Sequence, residues 1–333
     1  MPILNKRQLF HVFESSVRDC GWNLLYLQAK PEHPAQYQLY RDDQSFRVRV
    51  YIWNLTPGGK NRPEDEWRIQ VTGLEQFEAE PNGKTLIMGW QSDMGLFVGF
   101  DFAHHNGQLG ASPSIQIREA ALDLAAVHGF SPHNKGNGEL AIAFKPGFLM
   151  SYIENLESLH ACGESDAEID LLEKIGEEPA AVDDSEIQNE VGEERQYAVF
   201  SAKRALRKHD FRTRVLTAYD SQCAMCGIQL DLLDAAHILP VAHAESTDET
   251  DNGIALCALH HRAYDRAFVT FDPNFEIKVN DRAAKELEEM GHAGGLEEFV
   301  GGLQGNLILP SENDNRPSKK FIETANAFRG WAL

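Results

Sequence analysis

The sequence has few cysteines, and its apolar runs are too short to cross a membrane. Only 5 of the 333 residues are cysteine, which does not suffice for a disulfide framework and fits a reducing compartment. The first residues, Met-Pro-Ile-Leu-Asn-Lys-Arg, do not form a secretory signal. A Gly-rich phosphate loop ending in Lys-Ser or Lys-Thr is also missing, which argues against an NTP-driven motor. We expect a cytoplasmic protein that does not bind a membrane.

The chain has fewer basic than acidic residues, and the excess of acidic residues is unevenly distributed along the sequence. The chain carries 31 Lys and Arg against 51 Asp and Glu, for a net charge of −20. Residues 164–194 hold thirteen acidic residues and one lysine, so this stretch alone carries about −12 of that charge. We interpret residues 161–194 as an acidic linker. The charge of the whole chain therefore does not argue strongly against binding DNA.

A basic run follows directly after the acidic stretch. The pattern predicts a helix, and its positive side chains could follow a phosphate backbone. The alternative is a solvated amphipathic helix, since Val199, Ala202, Leu206 and Phe211 give it a buried side in either case. The basic residues of the run are Arg195, Lys203, Arg204, Arg207, Lys208, Arg212 and Arg214. We expect Lys203, Arg204, Arg207 and Lys208 to contact DNA.

The length of the chain and its 42% hydrophobic residues predict a globular protein of two domains. Alternating patterns predict strands at 45–54, 66–72, 85–90, 96–102 and 139–144. Helices are predicted at 6–17, 118–128 and 148–160. The fold class is therefore α+β, with a mixed α+β recognition domain in residues 1–160, the acidic linker in 161–194 and a second domain in 195–333.

One loop of the first domain has the composition of a DNA contact. It contains Lys60, Asn61 and Arg62, and Trp53 and Trp67 lie in the flanking strands. Positive charge, an amide and aromatic surface are what contact with a base edge or a flipped base requires. In the alternative interpretation, both tryptophans belong to the core and the loop is an ordinary turn.

The second domain contains a metal-binding pattern. Cys223 and Cys226 form one Cys-x-x-Cys pair, and Cys257 and His260 form a Cys-x-x-His pair. Three thiolates and one imidazole make a closed tetrahedral set of the kind that holds structural zinc.

Four polar residues close to these ligands in the sequence are not required to coordinate the zinc ion. They are His237, Asn252, His261 and Asp265. The apolar residues 231–239 predict a strand that carries His237, and a second strand begins at 253 after a polar loop. A helix over 259–268 would place His261 and Asp265 four residues apart on one side, where both could hold one cation.

The order of these residues within a Cys/His frame resembles the HNH nucleases, over roughly residues 211–271. The site of that family is a β-hairpin followed by a helix around one divalent cation. The resemblance implies metal-dependent hydrolysis of double-stranded DNA, with a structural Zn²⁺ and a catalytic Mg²⁺ or other divalent cation. It also implies that His237 is the general base, that His261 is a ligand of the cation, and that Asn252 orients the loop and the His237 backbone.

The sequence departs from the family at one position. Many HNH nucleases have an acidic or histidine ligand directly before the base, where this chain has Ala236. Asp265 is our preferred replacement and Asp234 is the alternative, since strand alternation places it on the same face as residue 236. In the non-catalytic interpretation, Asp265 only pairs with Arg262 or Arg266.

The resembling branch is often fused behind a DNA-recognition domain in restriction-type proteins. We therefore expect a restriction or phage-defence endonuclease with selectivity for modified DNA. A single site cuts one strand, so a double-strand break requires a homodimer or two binding events. One alternative is an effector nuclease gated by a ligand or partner of the first domain. The other is a zinc-dependent DNA-binding protein without activity.

Overall fold

The computed structural model describes residues 3–28, 32–60, 62–230 and 232–332. The chain divides into two compact units, Met1–His209 and Asp210–Leu333. Both units mix helices and strands, so the predicted α+β class is confirmed. In the part of the chain that the structure describes, no helix combines the length and apolarity that crossing a membrane requires.

Among the residues that the structure describes, the first unit contains nine strands and most of the helices. In chain order its elements are α1 (Lys6–Asp19), β1 (Asn23–Tyr26), β2 (Ala35–Arg41), β3 (Gln44–Pro57), β4 (Glu66–Gln70), β5 (Lys84–Gln91), β6 (Leu96–Phe100), α2 (Phe102–His105), β7 (Ser114–Arg118), α3 (Glu119–His128), β8 (Phe130–Asn134), β9 (Leu140–Phe144), α4 (Leu149–Glu154), α5 (Leu156–Ala161), α6 (Asp166–Glu177), α7 (Asp184–Glu190) and α8 (Glu193–Ala218). The last turns of α8 belong to the second unit, because the boundary falls after His209.

The strands form one sheet that is buried on both faces. Its order is β1-β2-β3-β5-β6-β9-β8, and β4 pairs with β3 and with β7. β3 and β5 are parallel, whereas the other pairs are antiparallel. Successive residues of β3 point to opposite faces. Val50 and Ile52 pack in the cluster that contains α1, α4, α6 and α8, and Tyr51 and Trp53 pack in the cluster that contains β4, β7 and α3.

The predicted elements of this unit are largely present. Each of the five predicted strands overlaps an observed one, and two predicted helices correspond to α1 and α3. The predicted helix 148–160 is broken at Asn155 into α4 and α5, where the Asn155 side chain donates to the Ser151 carbonyl at 2.9 Å. The pattern did not reveal β1, β2, β7 and β8.

The acidic stretch is not a linker, which corrects the predicted division. Residues 161–194 contain α6 and α7, and Leu171, Leu172 and Ile175 are fully buried in the core of the first unit. Most acidic side chains of these amphipathic helices are exposed, whereas Glu168 is buried and pairs with Arg195 at 2.7 Å. High acidic content therefore marked a solvated helix face here and not an unfolded segment.

The second unit is a β-hairpin followed by a helix, with smaller elements around it. In chain order it contains β10 (Leu233–His237), β11 (Gly253–Cys257), α9 (Ala258–Asp265), β12 (Val269–Phe271), β13 (Ile277–Val279), α10 (Asp281–Glu289), α11 (Leu296–Gly301) and α12 (Lys319–Phe328). β10 and β11 are antiparallel, with His237 opposite Gly253. The sequence predicted this strand, loop, strand and helix at nearly these positions.

Gly253 allows the hairpin to approach the end of α8 closely. A Cβ atom at this position would lie 2.2 Å from the Cγ2 of Val215 and 3.1 Å from the Cζ of Phe211. Both residues are buried in the core of the second unit. The close approach fixes β11, and through it His237, against the helix.

Candidate active site and metal centre

The predicted zinc ligands lie together in the second unit. The ligand atoms of Cys223, Cys226, Cys257 and His260 are all within 4.8 Å of one another. The Nδ1 of His260 lies 3.5 Å from the Sγ of Cys223 and 3.3 Å from the Sγ of Cys257. Bonds of ~2.3 Å to sulfur and ~2.0 Å to nitrogen in a tetrahedron separate such atoms by about 3.6 Å. The four side chains therefore fit a zinc ion.

The electrostatics of the thiols also favour a cation. Burial by itself would raise the pKa of the Cys223 thiol, but the hydrogen bond with His260 and nearby backbone amides lower it to about 6. Burial raises the pKa of the Cys226 and Cys257 thiols. The protein alone thus favours one thiolate, and a dication is what would ionise the other two.

The Cys-x-x-Cys pair lies in a tight turn. Gly227 has φ +75° and donates from its backbone to the Cys223 carbonyl at 2.8 Å. The Cys223 backbone donates in turn to the Ile228 carbonyl at 2.8 Å. Because φ is positive, this turn favours glycine directly after the second cysteine.

His237 ends β10 and is held by two residues that the sequence pattern did not point to as site residues. Its Nε2 lies 3.0 Å from the Oδ1 of Asp248, in the loop between β10 and β11. Its ring is stacked on Phe211, with centroids 3.9 Å apart and planes 9° apart. The His237 side chain remains 19% exposed. The ring is therefore oriented by the protein and still accessible to a substrate.

Asn252 is fully buried and ties the loop to the end of the strand that carries His237. Its Oδ1 accepts from the Leu239 backbone amide at 2.9 Å, and its Nδ2 donates to the Thr247 carbonyl at 2.7 Å and to Ser246 Oγ at 3.2 Å. Its backbone carbonyl accepts from Ile238 at 2.8 Å. These contacts are the ones that the predicted orienting role of Asn252 requires.

Two side chains donate hydrogen bonds to the backbone carbonyl of Ile238, the residue directly after His237. The hydroxyl of Tyr264 donates to it at 3.1 Å, and Arg329 donates to it at 2.7 Å. The Arg329 guanidinium also lies 4.2 Å from the Tyr264 ring centroid. Burial raises the pKa of Tyr264 to about 12, so the hydroxyl keeps its proton at neutral pH.

His261 lies between the two carboxylates that the sequence left as alternatives. Its Nδ1 is 3.6 Å from the Oδ2 of Asp234, and its Nε2 is 3.6 Å from the Oδ2 of Asp265. About half of each carboxylate is exposed. The two ring nitrogens point away from each other, so a single cation bound by His261 can recruit only one of these carboxylates at a time.

The loop with Lys60, Asn61 and Arg62 joins β3 to β4. Asn61 lies outside the described residues. Lys60 is exposed, whereas Arg62 pairs with Glu66 at 2.9 Å and lies 3.4 Å from the Ser114 hydroxyl. Trp53 is 5% exposed and belongs to the core, as the alternative interpretation had it. Of the two predicted contact residues that the structure describes in this loop, Lys60 is therefore the more available to a ligand.

The four predicted phosphate contacts on α8 are not equivalent. Arg204, Arg207 and Lys208 are exposed. The Lys203 side chain is only 9% exposed, and its ammonium pairs with Asp184 of α7 at 2.7 Å. This position corrects the prediction for Lys203, since a buried ammonium held by a carboxylate does not face a phosphate backbone.

Two family models match the chain. Residues 223–272 match the HNH endonuclease model, and they contain the zinc ligands, Asn252, His237 and His261. The C-terminal domain is an HNH endonuclease domain. The resemblance seen in the sequence is thereby confirmed, and the protein is an endonuclease. In the HNH domain the ββα unit corresponds to β10, β11 and α9.

The other comparisons add less about the HNH domain. Residues 46–153 match the model "Methylase-associated X1". One solved structure that matches is a "Modification dependent TagI restriction endonuclease", at 12% identity over 83% of this chain and 80% of that one, with a TM-score of 0.29. No curated protein matches the chain.

Five residues that hold the site were not predicted as part of it. They are Phe211, Arg214, Asp248, Tyr264 and Arg329. Phe211 and Arg214 were visible only as members of an amphipathic basic helix. Asp248 is one of several acidic residues in a polar loop, and nothing in the sequence separates it from its neighbours.

Proposed function

We propose that the protein is a metal-dependent restriction endonuclease that hydrolyses phosphodiester bonds of double-stranded DNA. The observation that carries the proposal is the orientation of His237. An accessible imidazole is fixed by stacking and by a carboxylate at the end of the hairpin, within an HNH domain. This arrangement is what a general base requires, because its ring must be held in place and still reach a water molecule at the substrate.

In the proposed reaction, a ring nitrogen of His237 takes a proton from a water molecule. The water oxygen forms a bond to phosphorus, the bond from phosphorus to one bridging oxygen breaks, and that oxygen leaves with the electron pair. His237 is accessible enough to receive the proton, and Asn252 fixes the backbone that places it. Positioning of this kind accounts for a large part of the rate of hydrolysis.

We assign His261 and Asp265 as the residues that hold the catalytic cation. They are one helical turn apart on α9, so the helix itself fixes their spacing. When bound, a divalent cation such as Mg²⁺ stabilises negative charge on the phosphate and on the leaving oxygen. Asp234 is the alternative ligand, on the other side of the His261 ring.

We assign recognition of DNA to the first unit and to the exposed cations of α8. Residues 46–153 match a family named for its association with methylases, which supports a role in a restriction system, and we propose modified DNA as the substrate. Arg204 and Lys208 are exposed and four residues apart on α8, which is the spacing of one helix face. One site cuts one strand, so a double-strand break requires a homodimer or two successive events.

The test is cleavage of matched plasmids that are unmodified, methylated or hydroxymethylated. Purified protein would receive Mg²⁺, Mn²⁺ or Ni²⁺, and nicked and linear products would be quantified. Cleavage that depends on the cation and prefers a modified plasmid is expected. Cleavage without preference would overturn the assigned specificity, and absence of cleavage under every condition would overturn the restriction function.

A cavity in the first unit favours the gated nuclease as a second candidate. Its volume is about 1040 Å³, and it lies at the N-terminal helix. Lys6 lines it, and burial lowers the pKa of its ammonium to about 7. Lys6 contacts the Ile52 carbonyl and the Trp53 ring. Because the pKa of Lys6 lies near neutrality, an anionic small molecule bound in the cavity would stabilise the protonated form of Lys6. This candidate predicts that cleavage shows no preference among the plasmids.

A further inference from the structure

We propose that Asp248 is a positioning residue that selects the tautomer of His237 and stabilises its protonated form. The inference rests on the proposed function of His237 as general base, and it names a residue that the sequence pattern did not identify. It concerns one contact, between the Nε2 of His237 and the Oδ1 of Asp248 at 3.0 Å.

The chemistry of the two side chains fixes the direction of this hydrogen bond. An ionised carboxylate only accepts, so Nε2 must carry the proton and donate it to Asp248. In a neutral imidazole one nitrogen carries a proton and the other has a lone pair. Nδ1 is therefore the nitrogen that can take a proton from water. Without Asp248, the ring could hold its proton on either nitrogen, and only one arrangement would be active.

Arg214 anchors the loop that carries Asp248, in addition to the contacts that Asn252 makes with Ser246 and Thr247. The guanidinium of Arg214, on the last turns of α8, donates to the Asp248 carbonyl at 2.6 Å and to the Thr250 hydroxyl at 2.7 Å. Its Nε donates to Asp210 at 2.9 Å. Arg214 therefore fixes the loop on both sides of Glu249 and holds the Asp248 carboxylate in reach of His237.

Phe211 and Asp248 each fix a different part of the orientation of the His237 ring. The stacked Phe211 ring fixes the plane of the imidazole, and Asp248 fixes its rotation in that plane. Once His237 has accepted a proton, it becomes a cation beside a carboxylate that is 24% exposed. An opposite charge at hydrogen-bond distance stabilises the imidazolium that the reaction forms.

The first test compares Asp248→Asn with Glu249→Gln. Both variants replace a carboxylate with an amide in the same loop, but Glu249 is exposed. The amide can donate as well as accept, so it does not select a tautomer. We expect the single-turnover rate at saturating DNA to fall about 10²-fold in Asp248→Asn, as for misplaced catalytic groups. DNA affinity and thermal unfolding should stay unchanged, and Glu249→Gln should match wild type.

The second test separates a positioning role from a structural one. Asp248→Asn combined with His237→Ala should cleave at the rate of His237→Ala alone, because Asp248 acts only through His237. An additional loss in the double variant would overturn the proposal. An equal rate for Asp248→Asn and wild type would also overturn it.

The third test does not require activity. In protein labelled with ¹⁵N-histidine, the ring resonances of His237 are identified by their loss in His237→Ala. We expect a protonated Nε2 and an unprotonated Nδ1 in wild type, and a mixture of tautomers in Asp248→Ala. A wild-type ring protonated on Nδ1 would refute the proposal. If wild type cleaved no DNA but showed the expected tautomer, the proposed nuclease function would fail and the pairing with Asp248 would stand.

Discussion

The imidazole of His237 lies flat on the ring of Phe211, with centroids 3.9 Å apart and planes 9° apart. Phe211 is 2% exposed and belongs to the core of the HNH domain. The imidazole therefore rests on a side chain that is packed in the core of this domain. The orientation of the His237 ring, which the proposed role as general base requires, depends on core packing as well as on a hydrogen bond.

Phe211→Leu tests this dependence. Leucine keeps an apolar side chain of similar volume, so the free energy of unfolding should fall by less than about 1.5 kcal/mol. Leucine cannot stack on the imidazole. The single-turnover cleavage rate should therefore fall by a larger factor in Phe211→Leu than in the control variant. Phe321→Leu, on α12 and half-buried against the same core, is the matched control. Equal rates in the two variants would show that stacking does not matter.

Removal of zinc should unfold the HNH domain. Cys257 ends β11, His260 lies on α9, and Cys223 and Cys226 lie in the turn before the hairpin, so a bound zinc ion would link these three segments. Cys226→Ala should lose its bound zinc, measured by atomic absorption, and should lose cooperative thermal unfolding of that domain. A Cys20→Ala variant, altered outside the cluster, should keep both. Full zinc content in Cys226→Ala would contradict the assigned ligands.

Asp265→Asn and Asp234→Asn distinguish the two candidate carboxylates of the catalytic cation. Because the His261 nitrogens face opposite sides, one substitution should weaken Mn²⁺ binding strongly and the other should weaken it little. We expect the strong effect in Asp265→Asn. Titration calorimetry with zinc-loaded protein measures the affinity. The reverse order of effects would assign Asp234 as the ligand, and equal losses would reject a single site.

Gly253→Ala should destabilise the HNH domain. The added methyl would lie 2.2 Å from the Cγ2 of Val215, so β11 or α8 must shift. Overpacking of this kind costs about 1–3 kcal/mol in the free energy of unfolding. Gly305→Ala is the matched control, since its Cβ meets nothing within 4 Å. Denaturant unfolding of both variants gives the comparison, and equal midpoints would contradict the close approach.

Substitutions on α8 should distinguish a lysine that contacts DNA phosphates from a lysine that only stabilises the fold. Lys208→Gln should lower DNA affinity and reduce the slope of log affinity against log salt by about 1, as expected for one lost phosphate contact. Lys203→Gln should leave affinity and slope unchanged and should lower the melting temperature, because it breaks the pair with Asp184. Fluorescence anisotropy at several salt concentrations measures both. A reduced slope in Lys203→Gln would contradict this assignment.

The ββα unit of the HNH domain could be predicted from the sequence because its signals are local. The zinc ligands form two pairs, each with two residues between its members, and His261 and Asp265 are one helical turn apart. Residues this close in sequence have a relative position that the local backbone fixes. The mixed strands and helices of the first unit were also visible, since buried strands such as β5 and β6 have distinct apolar runs.

Other features depend on contacts between distant parts of the chain. The contact of Asp248 with His237 depends on how an eleven-residue separation folds into a loop, and the Arg214 anchor depends on where α8 ends. The acidic composition of residues 161–194 predicts a linker, but the apolar spacing of Leu171, Leu172 and Ile175 places a helix of this stretch in the core of the first unit. The parallel pairing of β3 with β5 leaves no local signature at all.

The most direct measurement is metal-dependent cleavage of plasmid DNA by wild type and by His237→Ala, with zinc content and thermal unfolding recorded for both. We predict that wild type nicks or linearises plasmid when Mg²⁺ or Mn²⁺ is added. We also predict that His237→Ala keeps its zinc, its stability and its DNA affinity but loses cleavage. Equal cleavage by the two proteins would contradict the assignment of His237 as the base.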